Sequence, residues 1–155
     1  MAPLALAAAP LSAEAKIPQI VMAAATSIIP DRSPYIVRSS FPAAQPIPPL
    51  VDWAIKNNIK KTISLVADFA PGHDIEKAFE EFFTKAGGQL MEKVRVPLRN
   101  PDFSPFLQRI ADAKPDALFV FTPAGMGAQF MKQYVERGLD KSGIKLIATG
   151  DVTDD

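Results

Sequence analysis

The chain has 155 residues, of which 48% are hydrophobic and 22% are charged, a composition typical of a folded globular protein. Seventeen Lys and Arg residues balance 17 Asp and Glu residues, so no net charge would attract nucleic acid or an anionic membrane surface. Cysteine is absent, which excludes disulfides, thiolate metal sites and cysteine nucleophiles.

The first 15 residues are rich in alanine and resemble a signal peptide that ends in small residues. They lack a basic n-region, and two prolines interrupt their apolar run. We therefore favour a helix that ends near Lys16, followed by a turn at residues 17–18 and a strand at residues 19–24, while the signal-peptide interpretation stays open. No run in the chain approaches the roughly 20 apolar residues that a transmembrane helix needs.

A proline-rich stretch at residues 41–49 is the best candidate for a domain boundary. It holds four prolines, so we do not expect it in the interior of a helix. Before it, residues 26–33 predict a polar turn, and residues 35–40 predict a short extended segment. The proline-rich stretch therefore separates a short N-terminal segment from the larger remainder of the chain.

From residue 50 onward, helical and extended patterns alternate. The predicted elements are a helix at 50–59, a strand at 62–67, a helix at about 74–86, a strand at 89–96, a helix at about 103–113, a strand at 116–121, a helix at about 125–137 and a strand at 144–148. This order predicts an α/β fold, a doubly wound parallel sheet with right-handed crossovers. Because residues 63–67 and 117–121 show no polar alternation, helices should cover both faces of the sheet.

Three of the predicted strands end in small, polar, Gly or Pro residues. The segments that follow these strands are Asp68 with a Pro71-Gly72 turn, Thr122-Pro123-Ala124-Gly125, and Thr149-Gly150-Asp151. The carboxyl ends of parallel strands meet at one edge of a sheet, and ligands bind at that edge in open α/β folds. The sequence therefore predicts one ligand-facing rim.

The residues that could support catalysis have simpler interpretations. His73 is the only histidine, and its place at a predicted helix start favours a surface or capping role. Residues 125–127 read Gly-Met-Gly and lack the third glycine of a dinucleotide fingerprint, which favours close packing of a helix start. Asp68, Thr122 and Asp151 occur at strand ends as in phospho-acceptor receiver domains, but the acidic pair and late lysine of that family are not convincing here. No catalytic function is predicted.

Several segments, in an order and spacing that extend over nearly all 155 residues, resemble one family. They are Ala13-Glu14-Ala15-Lys16-Ile17-Pro18-Gln19-Ile20, Ala23-Ala24-Ala25-Thr26, Tyr35-Ile36-Val37-Arg38, Asp68 with Pro71-Gly72, Asn100-Pro101-Asp102-Phe103-Ser104, and Pro115-Asp116-Ala117. The chain is similar to type I periplasmic binding proteins, in particular to their branched-chain amino-acid-binding branch. The resemblance rests on the whole arrangement, since no single segment is specific.

The resemblance implies two doubly wound α/β lobes that close around a ligand. Residues 1–45 would be the tail of the first lobe and the crossover, and residues 46–155 would be most of the second lobe, with the rest of both lobes outside this chain. The first segment would then lack a complete core, so we expect it to pack on a second copy of the chain, to be supported by another chain or to be poorly ordered. The apolar residues expected to be open to solvent or to a neighbour are Ile20, Val21, Ile28 and Ile29.

The resemblance also implies where the ligand binds. In the first lobe, the segment 24–26 would offer a carbonyl and the Thr26 hydroxyl, and in the second lobe Asp151 would pair with an ammonium group. Relatives carry aromatic residues near positions 70–71 and 123–124, where this chain has none, and Phe69 is the candidate substitute. The complete predicted site is Ala24, Thr26, Ser27, Phe69, Pro71, Gly72, Thr122, Pro123, Ala124 and Asp151.

We therefore expect a periplasmic, non-catalytic solute-binding component of an ABC importer that docks on a membrane permease. Its ligand would be an amino acid or another small carboxylate, and the missing aromatic residues leave room for an aromatic acid. Neither a cofactor nor a metal is implied. The alternatives are a ligand-sensing receptor domain of the same fold and a flavodoxin-like enzyme domain.

Overall fold

The structure is a computed structural model that describes residues 2–99 and 101–153. Asn100, which belongs to one of the segments that resemble the family, and Met1, in the alanine-rich segment, lie outside the described residues. The chain divides into two compact units, Met1–Gln45 and Pro46–Asp155. No described helix is both long and apolar enough to cross a membrane.

The described residues of the first unit, 2–45, form one helix and two short parallel strands. They are α1 (Ala2–Ala15), β1 (Gln19–Val21) and β2 (Ile36–Arg38), with a 3-10 turn at Pro30–Arg32. The strands pair with Ile20 opposite Val37. The predicted helix and the predicted extended segment at 35–40 are confirmed, whereas the first strand ends three residues before the predicted position.

One face of the two-stranded sheet packs against the helix and a loop of the same unit. A small cluster of buried apolar residues joins this face to α1 and to the loop after β1: Ala2, Ala9, Val21, Ala24, Ile29 and Ile36. The prediction of exposure was wrong for Val21 and Ile29, because alternation along β1 turns Val21 into the cluster and Ile29 packs there as well. Ile20 and Ile28 are exposed as predicted.

In the second unit, residues 46–99 and 101–153 form four helices and a four-stranded sheet. The elements are α2 (Ile47–Lys56), β3 (Lys61–Ala67), α3 (Ala70–Lys85), β4 (Gln89–Val96), α4 (Ser104–Ala113), β5 (Ala117–Phe121), α5 (Gly127–Glu136) and β6 (Lys145–Ala148), with 3-10 turns at Leu139–Lys141 and Gly150–Thr153. The strand order is β4-β3-β5-β6, and every neighbouring pair is parallel. The predicted α/β fold with a parallel sheet is confirmed.

Two helices begin earlier than the sequence pattern predicts, and both contain proline in their first turn. α2 starts at Ile47, so Pro48 and Pro49 lie in its first turn. α3 starts at Ala70, so the predicted Pro71-Gly72 turn is instead the first turn of the helix. The N–H groups of a first helical turn have no partner within the helix, so proline is tolerated there.

Helices cover both faces of the four-stranded sheet. On one face, side chains of β3 and β5 pack with α4 and α5 in a cluster that includes Ile63, Leu65, Leu118, Val120, Leu107 and Phe130. On the other face, the Phe79 ring of α3 stacks on Phe119 of β5, with ring centroids 4.0 Å apart. Successive residues of each central strand point to opposite faces of the sheet, so each strand packs against helices on both faces.

An aspartate joins two strands at the amino-terminal edge of the sheet. The carboxylate Oδ2 of Asp116 accepts hydrogen bonds from the backbone N–H groups of Lys60 and Lys61, at 2.9 and 2.8 Å. These two bonds lower the pKa of Asp116 below its ordinary value of 3.8, because they favour the charged carboxylate. The contact fixes the start of β3 next to the start of β5.

Candidate functional site

The topology of the second unit has a switch point at the carboxyl ends of β3 and β5. In the strand order β4-β3-β5-β6, α3 connects β3 to β4 at one edge of the sheet, whereas α5 connects β5 to β6 at the opposite edge. The connections that leave β3 and β5 therefore run in opposite directions. In open α/β sheets such a switch point is the place where ligands bind.

Two phenylalanines lie together at this switch point. Phe69, in extended backbone between β3 and α3, stacks on Phe121, the last residue of β5. Their ring centroids are 6.0 Å apart and their planes differ by 7°. Phe121 is buried and Phe69 is half-buried, so the pair presents part of one aromatic ring to the surroundings.

Glycines allow the two helix starts to approach their neighbours closely. A Cβ on Gly72 would lie 2.1 Å from the Ala67 carbonyl oxygen, and a Cβ on Gly127 would lie 1.9 Å from the Val152 carbonyl oxygen. The interpretation of the Gly-Met-Gly segment as a packing feature fits Gly127, although its neighbour is the turn after β6 rather than a strand. Gly72 and Gly127 therefore allow close backbone contacts that a side chain would prevent. Pro71, the neighbour of Gly72, is buried.

An acidic side chain and the single histidine meet at the end of β3. His73 Nε2 lies 2.6 Å from Asp68 Oδ1, and both side chains are partly exposed. The sequence indicated Asp68 as a strand-end residue and His73 as a surface or capping residue, but their pairing was not predicted. The sequence did contain a signal for this contact, since Asp68 and His73 are only five residues apart. Asp68 follows the end of a strand and His73 lies near the start of the next helix, and these two places are close in a strand-helix unit.

The ends of β5 and β6 carry the remaining predicted residues of this unit. Thr122 is completely buried, and its hydroxyl has no hydrogen-bond partner among the residues that the structure describes. Pro123 is half-buried and Ala124 is exposed in the loop that follows. Asp151 is exposed, and its Oδ2 accepts a hydrogen bond from Thr149 Oγ1 at 2.9 Å.

A buried carboxylate stabilises the β3 and β4 side of the rim. Glu76 of α3 is 2% exposed and pairs with Arg95 of β4, with Arg95 Nη2 2.7 Å from Glu76 Oε2. Ser64 Oγ also donates to Glu76 Oε1 at 3.2 Å. The hydrogen bond with Glu76 raises the pKa of Arg95 and outweighs the opposing effect of burial, and the nearby Asp68 charge adds to the increase. The guanidinium is thus held as a cation beside two carboxylates.

The predicted residues of the first unit lie in the loop after β1. Ala24 and Thr26 are buried, and Ser27 is exposed. Arg38 Nη1, from the last residue of β2, donates to the Thr26 carbonyl oxygen at 2.7 Å. The sequence did not predict this contact, which fixes the loop at the carboxyl edge of its own sheet.

The structure thus brings the predicted residues together in two sets, one in each unit. Within the second unit, the set from Phe69 to Asp151 follows the carboxyl ends of neighbouring parallel strands. Within the first unit, the loop 24–27 follows the carboxyl end of β1. In the ranges 2–99 and 101–153, no group of three or more His, Asp or Glu side chains could hold a metal ion.

Comparisons with known proteins identify close relatives. Residues 1–155 match the sequence model of a family described as "Periplasmic binding protein". The Leu/Ile/Val-binding protein homolog 6 of Brucella abortus (strain 2308) is 46% identical over 152 residues, which cover 97% of this chain and 39% of that protein. This chain therefore spans about two fifths of the length of that relative.

Solved structures show the same fold at high identity. A solute-binding protein of an ABC transporter from Rhodopseudomonas palustris BisB5, in complex with 3,4-dihydroxybenzoic acid, matches with a TM-score of 0.94 and 63% identity over 99% of this chain and 42% of that chain. A solute-binding protein from R. palustris in complex with 4-hydroxybenzoate matches with a TM-score of 0.93 and 46% identity over 98% of this chain and 42% of that chain.

Proposed function

The chain belongs to the periplasmic binding protein family, and we propose that it forms part of the solute-binding component of an ABC importer. The complete receptor, meaning the two-lobed protein of which this chain would be a part, would work in the periplasm and deliver its ligand to a membrane permease. Residues 1–45 would belong to its first lobe and residues 46–155 to its second lobe. The division of the chain into units at residue 45 supports this assignment.

We propose an aromatic carboxylate of the hydroxybenzoate class as the ligand. The observation that carries this proposal is the stacked pair of Phe69 and Phe121 at the switch point, which offers an aromatic surface to a flat ring. The solved proteins at 63% and 46% identity, bound to 3,4-dihydroxybenzoic acid and 4-hydroxybenzoate, support the same class.

An aliphatic amino acid is the second candidate, because the Brucella relative is named for Leu, Ile and Val. The two candidates differ in one group, since an amino acid carries an ammonium that needs a carboxylate partner and a benzoate does not. Asp151 is the residue that would supply this countercharge. Its carboxylate already accepts a hydrogen bond from Thr149, a contact that a benzoate would leave undisturbed.

The proposed mechanism is a clamp in which each lobe contributes one part of the contact. The Thr26 hydroxyl would donate to the ligand carboxylate, with its loop fixed by the Arg38 contact. The ring of Phe69, in the second lobe, would stack on the ring of the ligand. Closure of the lobes would exclude water and strengthen these interactions, and the closed form would dock on the permease.

Two substitutions in the complete receptor test this proposal by calorimetric titration. Thr26→Ala should weaken binding of a carboxylate ligand by roughly 1–3 kcal/mol, because it removes a charge-assisted hydrogen bond from a desolvated cleft. Asp151→Asn should leave benzoate binding unchanged and should weaken binding only of a ligand with an amine. Thr84→Ala, at an exposed position in the last turns of α3, is the matched control.

The outcomes separate the alternatives. Full affinity in the Thr26 variant would contradict the site assignment, and strong dependence on Asp151 would favour an amino acid over an aromatic acid. Turnover of any of these compounds by the purified receptor would favour an enzyme of the same fold.

A further inference from the structure

Asp68 and His73 form a fixed polar pair at the switch point, outside the ten residues predicted for the site. Asp68 follows the last residue of β3, and its N–H donates to the Val96 carbonyl at 2.8 Å, so strand pairing continues through this position. His73 lies in the first helical turns of α3, with Nε2 2.6 Å from Asp68 Oδ1. Strand and helix therefore both hold the pair.

The same short segment carries the half-buried aromatic ring of Phe69. Phe69 lies between Asp68 and α3, and its carbonyl oxygen accepts the backbone N–H of His73 at 3.0 Å. Asp68, Phe69 and His73 are thus one folded segment that combines a ring surface with a carboxylate and an imidazole. A ligand ring stacked on Phe69 would bring its substituents near the polar pair.

The pair keeps unused hydrogen-bonding capacity. The contact occupies one oxygen of Asp68 and one nitrogen of His73, and neither Asp68 Oδ2 nor His73 Nδ1 bonds to any residue in the described parts of the chain. The side chain of Asp68 is 56% exposed and that of His73 is 42% exposed, so both can be reached. An exposed pair of this kind contributes little to stability, so substitution of either residue should leave the fold intact.

The charge of Asp68 determines which end of an aromatic acid it can accept. A ligand carboxylate would be repelled by the Asp68 carboxylate, whereas a phenolic O–H would donate to it in a charge-assisted hydrogen bond. Arg95, the nearby cation, is already engaged by Glu76. The hydroxyl end of the ligand should therefore point towards Asp68 and the carboxylate end away from it.

We propose that Asp68, oriented by His73, accepts a hydrogen bond from a ring hydroxyl of the bound aromatic acid and so selects hydroxylated over unsubstituted benzoates. This inference rests on the proposed function and adds the orientation of the ligand and the origin of its selectivity. Asp68 is the recognising residue and His73 is a positioning residue.

The experiment is a calorimetric titration of the complete receptor with benzoate, 4-hydroxybenzoate and 4-methoxybenzoate. The methoxy compound has the same ring oxygen but cannot donate a hydrogen bond. The receptor should bind 4-hydroxybenzoate about 10- to 100-fold more tightly than benzoate or 4-methoxybenzoate, as expected for one charge-assisted hydrogen bond. Asp68→Asn should remove most of this preference while the Kd for benzoate changes less than about twofold.

Two further variants keep the experiment decisive. His73→Gln should reduce the preference in the same direction by a smaller factor, and it serves as the second variant if Asp68→Asn folds poorly. Asp52→Asn, at an exposed position of α2, is the matched control and should keep the full preference.

The possible results separate this inference from the function on which it rests. A receptor that binds the aromatic acids but keeps its preference in Asp68→Asn and His73→Gln would overturn the inference alone, as would an equal loss of affinity for all three compounds. A receptor that binds none of the three would overturn the proposed ligand class and the inference together.

Discussion

The ring of Phe69 lies parallel to the ring of Phe121, with centroids 6.0 Å apart and planes that differ by 7°. This contact joins the segment after β3 to the end of β5, the two strands that flank the switch point. Because Phe121 is buried and Phe69 is half-buried, Phe69 is the ring of this pair that a ligand can reach.

Removal of the Phe69 ring should weaken binding of an aromatic acid. Phe69→Leu keeps an apolar side chain but loses the ring surface, so affinity for 4-hydroxybenzoate in the complete receptor should fall by about 0.5–1.5 kcal/mol, or roughly 2- to 13-fold. Phe82→Leu, at an exposed aromatic position of α3, is the matched control in the same titration. An unchanged Kd in the Phe69 variant would show that the ligand does not use this ring.

A methyl group at position 72 should destabilise the second unit. The Cβ of Gly72→Ala would lie 2.1 Å from the Ala67 carbonyl oxygen, so α3 must shift away from the end of β3. We expect a loss of about 1–3 kcal/mol in the free energy of unfolding, measured by urea denaturation. Gly150→Ala, where no heavy atom lies within 4 Å of the added Cβ, should change stability far less.

Loss of the Arg95 guanidinium should cost more than loss of an exposed lysine. Arg95→Met would leave Glu76 buried without its cation, and because the Arg95 side chain is itself 45% exposed we expect about 1–3 kcal/mol rather than the larger cost of a fully buried pair. Lys77→Met, which breaks the exposed pair with Glu81, should cost at most about 0.5 kcal/mol. If urea denaturation gave the same loss in the free energy of unfolding for both substitutions, the burial of Glu76 would not make its ion pair more important than an exposed one.

The Asp116 contact should make stability depend on pH in the acid range. Its pKa is lower in the folded state than the ordinary value of 3.8, so its contribution is fully present above that value and is lost as the pH falls through the folded-state pKa. Asp116→Ala should therefore lower the free energy of unfolding by about 1 kcal/mol at pH 7, and its difference from the wild type should shrink below about pH 4. A difference that stays constant from pH 7 to pH 2.5 would refute this assignment.

The sequence predicted the alternation of strands and helices because the unbroken apolar runs of β3 and β5 have one physical solution, a strand covered on both faces. It placed the starts of α2 and α3 too late, since Pro48 and Pro71 indicate a helix break as readily as a first helical turn. The burial of Ile29 also escaped prediction, because it depends on a contact with distant residues of the first unit.

The rim at the carboxyl ends of the strands was predictable to a similar extent. Strand ends identified the rim, because the ends of parallel strands must share an edge. The contacts that shape the rim were not predicted: Phe69 with Phe121, and Arg38 with Thr26, join residues that are 52 and 12 positions apart. Their pairing depends on register and side-chain direction, which a single sequence does not specify.

The most direct test of the account is a calorimetric titration of the complete receptor with 4-hydroxybenzoate and, separately, with leucine. We expect saturable binding of 4-hydroxybenzoate with a Kd at least about tenfold lower than that for leucine, because the switch point offers an aromatic surface and a hydroxyl acceptor. Tight binding of leucine with no detectable binding of 4-hydroxybenzoate would contradict the account.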